Sequence, residues 1–219
     1  MEFETGKNDA TIKRYEPIAD MIHTTFGANC EVVIHNLQDV HSSLVYIKGS
    51  VTGREIGAPT TEVILKELRQ QGNEVQDRLG FTTKTKEGKS IKTSITFIRN
   101  DVGEVIGYLG INFDISAFAM IGQIMNEFTG SNEIQLDGEI ENESYAKNID
   151  EVFEQLLTTA LSKIGVPVSR MSRTDKIRFV HILEEKGTFL IQGSIEHIAQ
   201  VLEVSKQTVY NYLEQKLPL

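Results

Sequence analysis

The stretch Ile195 to Gln215, IEHIAQVLEVSKQTVYNYLEQ, constrains the fold more than any other part of the chain. Ile195, Ile198, Ala199 and Leu202 fall at helical spacing on one face. A break follows at Glu203, Val204 and Ser205. Ser205 suits the N-cap of a second helix, because its hydroxyl can accept an orphan backbone N–H of the next turn. That helix buries Val209, Tyr212 and Leu213, while Ala199 lets the two helices cross closely and Val204 fills the corner. The pattern is a helix-turn-helix. With Val209 and Tyr212 turned inward, Gln207, Tyr210, Asn211 and Glu214 share the outer stripe, with Lys206 at its start. Gln and Asn can bond adenine bidentately, and Lys can reach guanine or phosphate. Ser205, Lys206, Gln207, Thr208, Tyr210 and Asn211 are therefore expected to meet double-stranded DNA in its major groove. A plain helical hairpin with a solvated polar face fits the same spacing. The turn position Glu203 calls for a left-handed backbone, which costs a non-glycine residue about 1 kcal/mol.

A net charge of −9 sits oddly with a DNA partner. Much of it is local. Glu133, Asp137, Glu139, Glu141, Glu143, Asp150, Glu151 and Glu154 face a single base, Lys147. From Arg170 onward, bases and acids nearly balance, and Arg170, Arg173, Lys176 and Arg178 cluster ahead of the helix-turn-helix. Salt-sensitive binding of moderate strength, made tight by a homodimer, is the expectation.

Hydrophobic residues make up 40% of the 219, enough for a sizeable core. No apolar run is long enough to span a bilayer, no signal pattern opens the chain, and the one cysteine, Cys30, fits a reducing compartment. A cytoplasmic protein without a membrane partner is expected. The polar N-terminus is expected to fray. Arg14 to Phe26 reads as an amphipathic helix, Glu31 to His35 and Leu44 to Lys48 as strands, and Pro59 as the first-turn residue of a helix running to Gln71. Leu79 to Lys86, Ser90 to Arg99 and Glu104 to Asp114 read as a three-stranded meander with glycine-bearing turns. Gly103, Gly107 and Gly110 suggest that the last strand is pressed against a neighbour on a glycine-bearing face. The whole is an α+β unit built on one five-stranded antiparallel sheet with helices, followed by an acidic helical linker and a C-terminal all-α helix-turn-helix.

This order resembles a PAS domain and, more narrowly, the YheO-like PAS plus helix-turn-helix transcriptional regulators. The resemblance rests on EVVIHNL at 31–37, GREIGAPTTE at 53–62, GEVIGYLGINFD at 103–114 and the C-terminal helix-turn-helix. It implies a sensory module attached to a DNA reader. The expected domains are 1–118 for sensing, 119–168 for an acidic linker with a dimerisation helix, and 169–219 for DNA.

Phe118, Ile121, Ile124, Met125 and Phe128 form a helix that either caps the sheet or pairs with its copy in a second subunit. Residues 130–148 read as a linker, disordered in part. Ile149 to Ile164 carries a wide apolar stripe (Val152, Phe153, Leu156, Leu157, Ala160) and is the stronger dimerisation candidate. Arg173 to Lys186 is the first helix of the DNA unit, capped by Ser172 or Thr174.

No phosphate loop, nucleophile elbow or zinc spacing occurs, so neither an enzyme nor a cofactor or metal is expected. The five histidines read as packed or exposed residues. An effector would sit between sheet and helices, where an apolar pocket needs a few convergent polar groups. His35, Asn36, Tyr46, Arg54, Tyr108 and Asn112 are the candidates, with the bare Gly110 leaving room beside Tyr108 and Asn112. The same groups could instead satisfy strand ends. The chain reads as a DNA-binding regulator controlled by a small molecule or partner. The alternative is a sensory or scaffold protein whose C-terminal helical unit binds protein.

Overall fold

The computed structural model describes residues 2–85, 87–130, 140–141 and 145–215. Two helices open the chain, α1 (Glu2–Lys13) and α2 (Glu16–Phe26). The strands β1 (Cys30–Asn36) and β2 (Leu44–Lys48) follow, then helix α3 (Glu62–Gln71). Next come β3 (Arg78–Lys84), β4 (Ser90–Arg99) and β5 (Val105–Asp114), and helix α4 (Ser116–Thr129). After a two-residue strand β6 (Ile140–Glu141), four helices finish the chain: α5 (Ile149–Ile164), α6 (Arg173–Glu185), α7 (Ser194–Val201) and α8 (Lys206–Glu214).

The sheet runs β2-β1-β5-β4-β3 with every neighbour antiparallel, and β6 adds to the β3 edge in parallel. The turns that join the meander are glycine turns, as their sequence predicts: Gly88 and Gly103 both have positive φ and close onto Thr85 and Asn100. β5 is the central strand. Its pairing sets up rows across the sheet: Glu31 beside Asn112 beside Thr93, and His35 beside Tyr108 beside Phe97.

Alternation then sorts the two faces. The outer face carries Cys30, Val32, Ile34, Ile98 and Leu109, packed with Ile12 of α1 and Ala19 of α2. The inner face carries Ile95, Phe97 and Tyr108, packed with Ile64 of α3 and Val75. Gly107 and Gly110, three apart, lie on opposite faces, so no single glycine-bearing face exists. A methyl at Gly107 would lie 2.3 Å from the His35 carbonyl, and one at Gly110 would lie 2.9 Å from a Val33 methyl.

Three expectations need correction here. The N-terminus is helical, not frayed. Its sequence has no apolar stripe, and α1 is held instead by buried Ile12, by the Asn36–Asp9 hydrogen bond of 2.9 Å and by the Lys7–Asp101 pair. Pro59 lies outside α3, which starts at Glu62 after an extended Thr61, because the Pro59 carbonyl is engaged by Arg54 and the Thr60 amide bonds Val40. The stripe of α5 needs no second subunit. Val152, Phe153, Leu156, Leu157 and Ala160 are buried in a core with Phe179, Val180 and Leu183 of α6, Ile198 and Ala199 of α7, and Val209 and Tyr212 of α8. The acidic linker lies largely outside the described residues. α4 does not cap the sheet with its large residues. It turns Ala119 and Gly122 inward, leaving Phe118, Ile121, Ile124, Met125 and Phe128 exposed.

Leu65 of α3 belongs to the core of the C-terminal helices. Around it, Arg69 pairs with Glu184, Lys186 lies 3.7 Å from Glu62, and the Gln192 amide donates to His41 Nε2 at 2.7 Å. Gly187, at φ 75°, is pressed so tightly on α3 that a methyl would stand 2.3 Å from the Leu65 carbonyl.

Candidate DNA-reading face and sensory site

The reading unit follows from local chemistry. Ser172 and Asp175 form a capping box that starts α6. α7 ends in a Schellman turn: the Val204 amide bonds the Ala199 carbonyl at 2.9 Å and the Glu203 amide bonds the Gln200 carbonyl at 3.1 Å. This turn needs a left-handed residue, and Glu203 takes it at φ 53°, the one non-glycine with positive φ among the described residues. Lys176 Nζ, 2.7 Å from the Leu202 carbonyl, ties α6 to the same turn, so it is a brace and not a free phosphate ligand. Ser205 caps α8, its hydroxyl accepting from the Thr208 amide at 3.1 Å.

Val209 and Tyr212 are buried, while Lys206, Gln207, Tyr210, Asn211 and Glu214 are exposed and Thr208 is half-exposed. The outer groups pair with one another. Lys206 meets Glu196, whose carboxyl is held below the ordinary range first by that hydrogen bond. Gln207 Nε2 donates to Asn211 Oδ1 at 3.3 Å, and Arg173 bonds Gln215, which in turn bonds the Asn211 carbonyl. Such exposed contacts are weak.

The six sensory candidates divide between the two faces of the sheet. Asn36 and Tyr46 lie on the outer side and border a cavity of about 250 Å³ with Asp9, Ile12 and Glu16. Tyr46 donates to Asp20 at 2.7 Å, and that bond raises its pKa to about 12. His35, Arg54, Tyr108 and Asn112 share the inner side. The His35 ring stacks on Tyr108 with centroids 4.4 Å apart, its Nδ1 lies 2.7 Å from Ser43 Oγ, and Tyr108 Oη lies 3.1 Å from Thr60 Oγ1. Burial, and then the charge of Arg54, hold the His35 pKa well below the usual histidine value. Asn112 bridges Glu31 at 3.0 Å and Thr93 at 3.1 Å. The space expected above Gly110 is occupied by Val33.

Sequence reasoning missed Glu31. It is fully buried and accepts from the amides of Val51 and Thr52, from the Thr52 hydroxyl and from Asn112. The row continues through Thr93 and Thr83 to the Tyr145 hydroxyl. An acid inside a strand buried on both sides was the signal that could have found it. The remaining histidines are held by the fold: His23 Nδ1 at 2.8 Å from the Cys30 carbonyl, His181 Nε2 at 2.7 Å from the Gln215 carbonyl, and His197 stacked on Phe153. Cys30 is buried, and burial pushes its thiol pKa up.

The chain matches the family model for the YheO-like PAS domain over residues 6–130, and a model for a helix-turn-helix (HTH) domain over 152–214. The chain belongs to the YheO-like PAS family. Within it, the protein named YheO of Escherichia coli (strain K12) is 30% identical over 206 residues, covering 93% of this chain and 84% of that one. The transcriptional regulator DauR of Pseudomonas aeruginosa is 23% identical over 209 residues, covering 94% and 95%. Among solved structures, the PAS domain of the fruit-fly ELK potassium channel aligns with a TM-score of 0.31 at 23% identity, covering 44% of this chain and 96% of that one. In this YheO-like chain the PAS sheet and the HTH helices meet through α3. Among the described residues, no helix is long and apolar enough to cross a membrane.

Proposed function

We infer that this protein is a DNA-binding transcriptional regulator, in which the YheO-like PAS domain senses a signal and the HTH domain reads DNA. The observation that carries the reading is the orientation of α8: Val209 and Tyr212 inward, Gln207, Tyr210 and Asn211 outward, behind a Ser205 cap and a Schellman turn. In our reading Lys206, Gln207, Tyr210 and Asn211 contact bases and phosphates, with Ser205 and Thr208 at the helix start. A cytoplasmic homodimer, with α4 as the pairing helix, would present two such helices to a two-fold operator. The PAS plus HTH architecture supports a binding protein over an enzyme.

We place the effector on the inner face of the sheet, at His35, Arg54, Tyr108 and Asn112. The signal then has a short route: Thr60 touches Tyr108, Thr61 precedes α3, and α3 meets Glu184, Lys186 and Gly187 through Arg69, Glu62 and Leu65. Asn36 and Tyr46, on the outer face, lie off that route.

The test is an electrophoretic shift on the DNA upstream of the protein's own gene. Gln207→Ala and Asn211→Ala should each weaken the shift about tenfold, in line with one lost bidentate contact. Shifts equal to wild type in both variants remove the reading face. The near-neutral C-terminal unit, with Lys206 already paired to Glu196, favours a protein partner as the second reading. DNA binding should weaken steeply between 50 and 200 mM salt, roughly as the salt concentration to the power of the phosphates contacted. A salt-insensitive contact would favour protein.

A further inference from the structure

Arg54 is anomalous on the inner face. It is 6% exposed, yet it enters no ion pair among the described residues. One terminal nitrogen donates to the Pro59 carbonyl, and its Nε finds no partner. His35, completely buried, repeats the anomaly: Nδ1 bonds Ser43 and Nε2 is unpartnered. The two residues belong to one cluster, close enough for the Arg54 charge to act on the His35 ring. Arg54 holds Pro59, the adjacent Thr60 bonds Tyr108, and the Tyr108 ring lies flat against His35 at 4.4 Å. Where the Ser43 hydroxyl donates to His35 Nδ1, the other ring nitrogen carries the proton. Arg54 Nε–H and His35 Nε2–H are then two donors beside one uncompensated buried cation. Burying a charge is costly unless it is paired and hydrogen-bonded. A neutral acceptor would fill the hydrogen bonds and leave the charge. A carboxylate fills both and matches the planar guanidinium fork.

We propose that Arg54 and His35 form a carboxylate site, so that the effector of this protein is a small organic acid held by its acid group. The proposal deepens the sensory reading of the inner face and rests on it. Neighbouring groups fit the role. Thr60 and Tyr108 close the cluster toward the start of α3, so a bound acid lies next to the element that reaches the DNA unit.

The experiment uses the full-length chain, labelled with nitrogen-15. Side-chain signals of Arg54 Nε–H and of the His35 ring are followed while sodium acetate, acetamide or sodium chloride is added at constant ionic strength. Acetate should shift both signals saturably, at concentrations at least tenfold below any effect of acetamide. Arg54→Gln should abolish the acetate response. Arg54→Lys, which keeps the charge and loses the fork, should retain the preference for acetate with weaker binding, and serves if the Gln variant fails to fold. Equal responses to acetate and acetamide, a response that survives Arg54→Gln, or no saturable response to acetate overturns the carboxylate site. A DNA shift repeated with acetate separates the two ideas. Acetate bound at Arg54 with unchanged DNA affinity leaves the site standing and defeats the sensory reading. DNA affinity that responds to neutral compounds, with no acetate bound, does the reverse.

Discussion

Helices α4 and α5 carry apolar residues at the same spacing and meet opposite fates. α5 sinks Leu156 and Leu157 among α6, α7 and α8, whereas α4 leaves Phe118, Ile124 and Phe128 in water, the last 89% exposed. The ends of α5 are well defined: Asn148 caps it by accepting from the Glu151 amide, and Gly165 closes it in a left-handed turn. α4 instead lays its small side on the sheet. An apolar stripe states that a helix needs a greasy neighbour. It does not state where that neighbour is. For α5 it lies in the same chain, and for α4 the described residues do not supply it. A contiguous exposed patch of this kind is unusual on a protein that stays a monomer.

The comparison can be broken at its strong end. Leu156→Ala should cost about 2–5 kcal/mol, from lost transfer free energy plus the cavity left behind. Urea unfolding reads this as a lower midpoint at constant slope, and a loss under about 1 kcal/mol would mean that α5 is not core. A smaller effect comes from the turn that positions α8 against α6 and α7. Glu203→Gly removes the left-handed penalty and should stabilise by about 1 kcal/mol. The gain should appear in the same cooperative transition that Leu156→Ala weakens, and two separate transitions would split the core that α5 and α8 share. The smallest effect on folding belongs to α4. Ile124→Glu should change the stability of the monomer by no more than about 0.5 kcal/mol. It should nevertheless lower the mass seen by light scattering from that of a dimer to that of a single chain. Destabilisation comparable to Leu156→Ala would put α4 in the core and end the contrast.

How much was legible follows the range of the forces involved. The reading unit was legible because caps, turn and stripe are all set within about twenty residues, and Ser205, Val209 and Tyr212 sit as their neighbours dictate. The succession of the five long strands along the chain was legible from alternation and glycine turns, whereas their order in the sheet and the short β6 were not. What depends on distant partners was not. α1 has no stripe of its own and is fixed by Ile12 and two polar contacts to residues far along the chain. The division of His35 and Asn36 between faces follows from simple alternation, but pooling them as one site ignored it. Glu31 escaped because its partners, Val51, Thr52 and Asn112, come from a loop and a strand that only the folded sheet brings together.

Leu65 has a practical consequence for anyone who treats the two halves as interchangeable parts. A chimera that transplants a foreign sensor onto these four C-terminal helices would remove the side chain that plugs their core, and leave Gly187 facing a backbone that is no longer there. The graft would have to bring α3 with it, leucine included, because the border between sensor and reader runs through the middle of a shared interior and not along a seam.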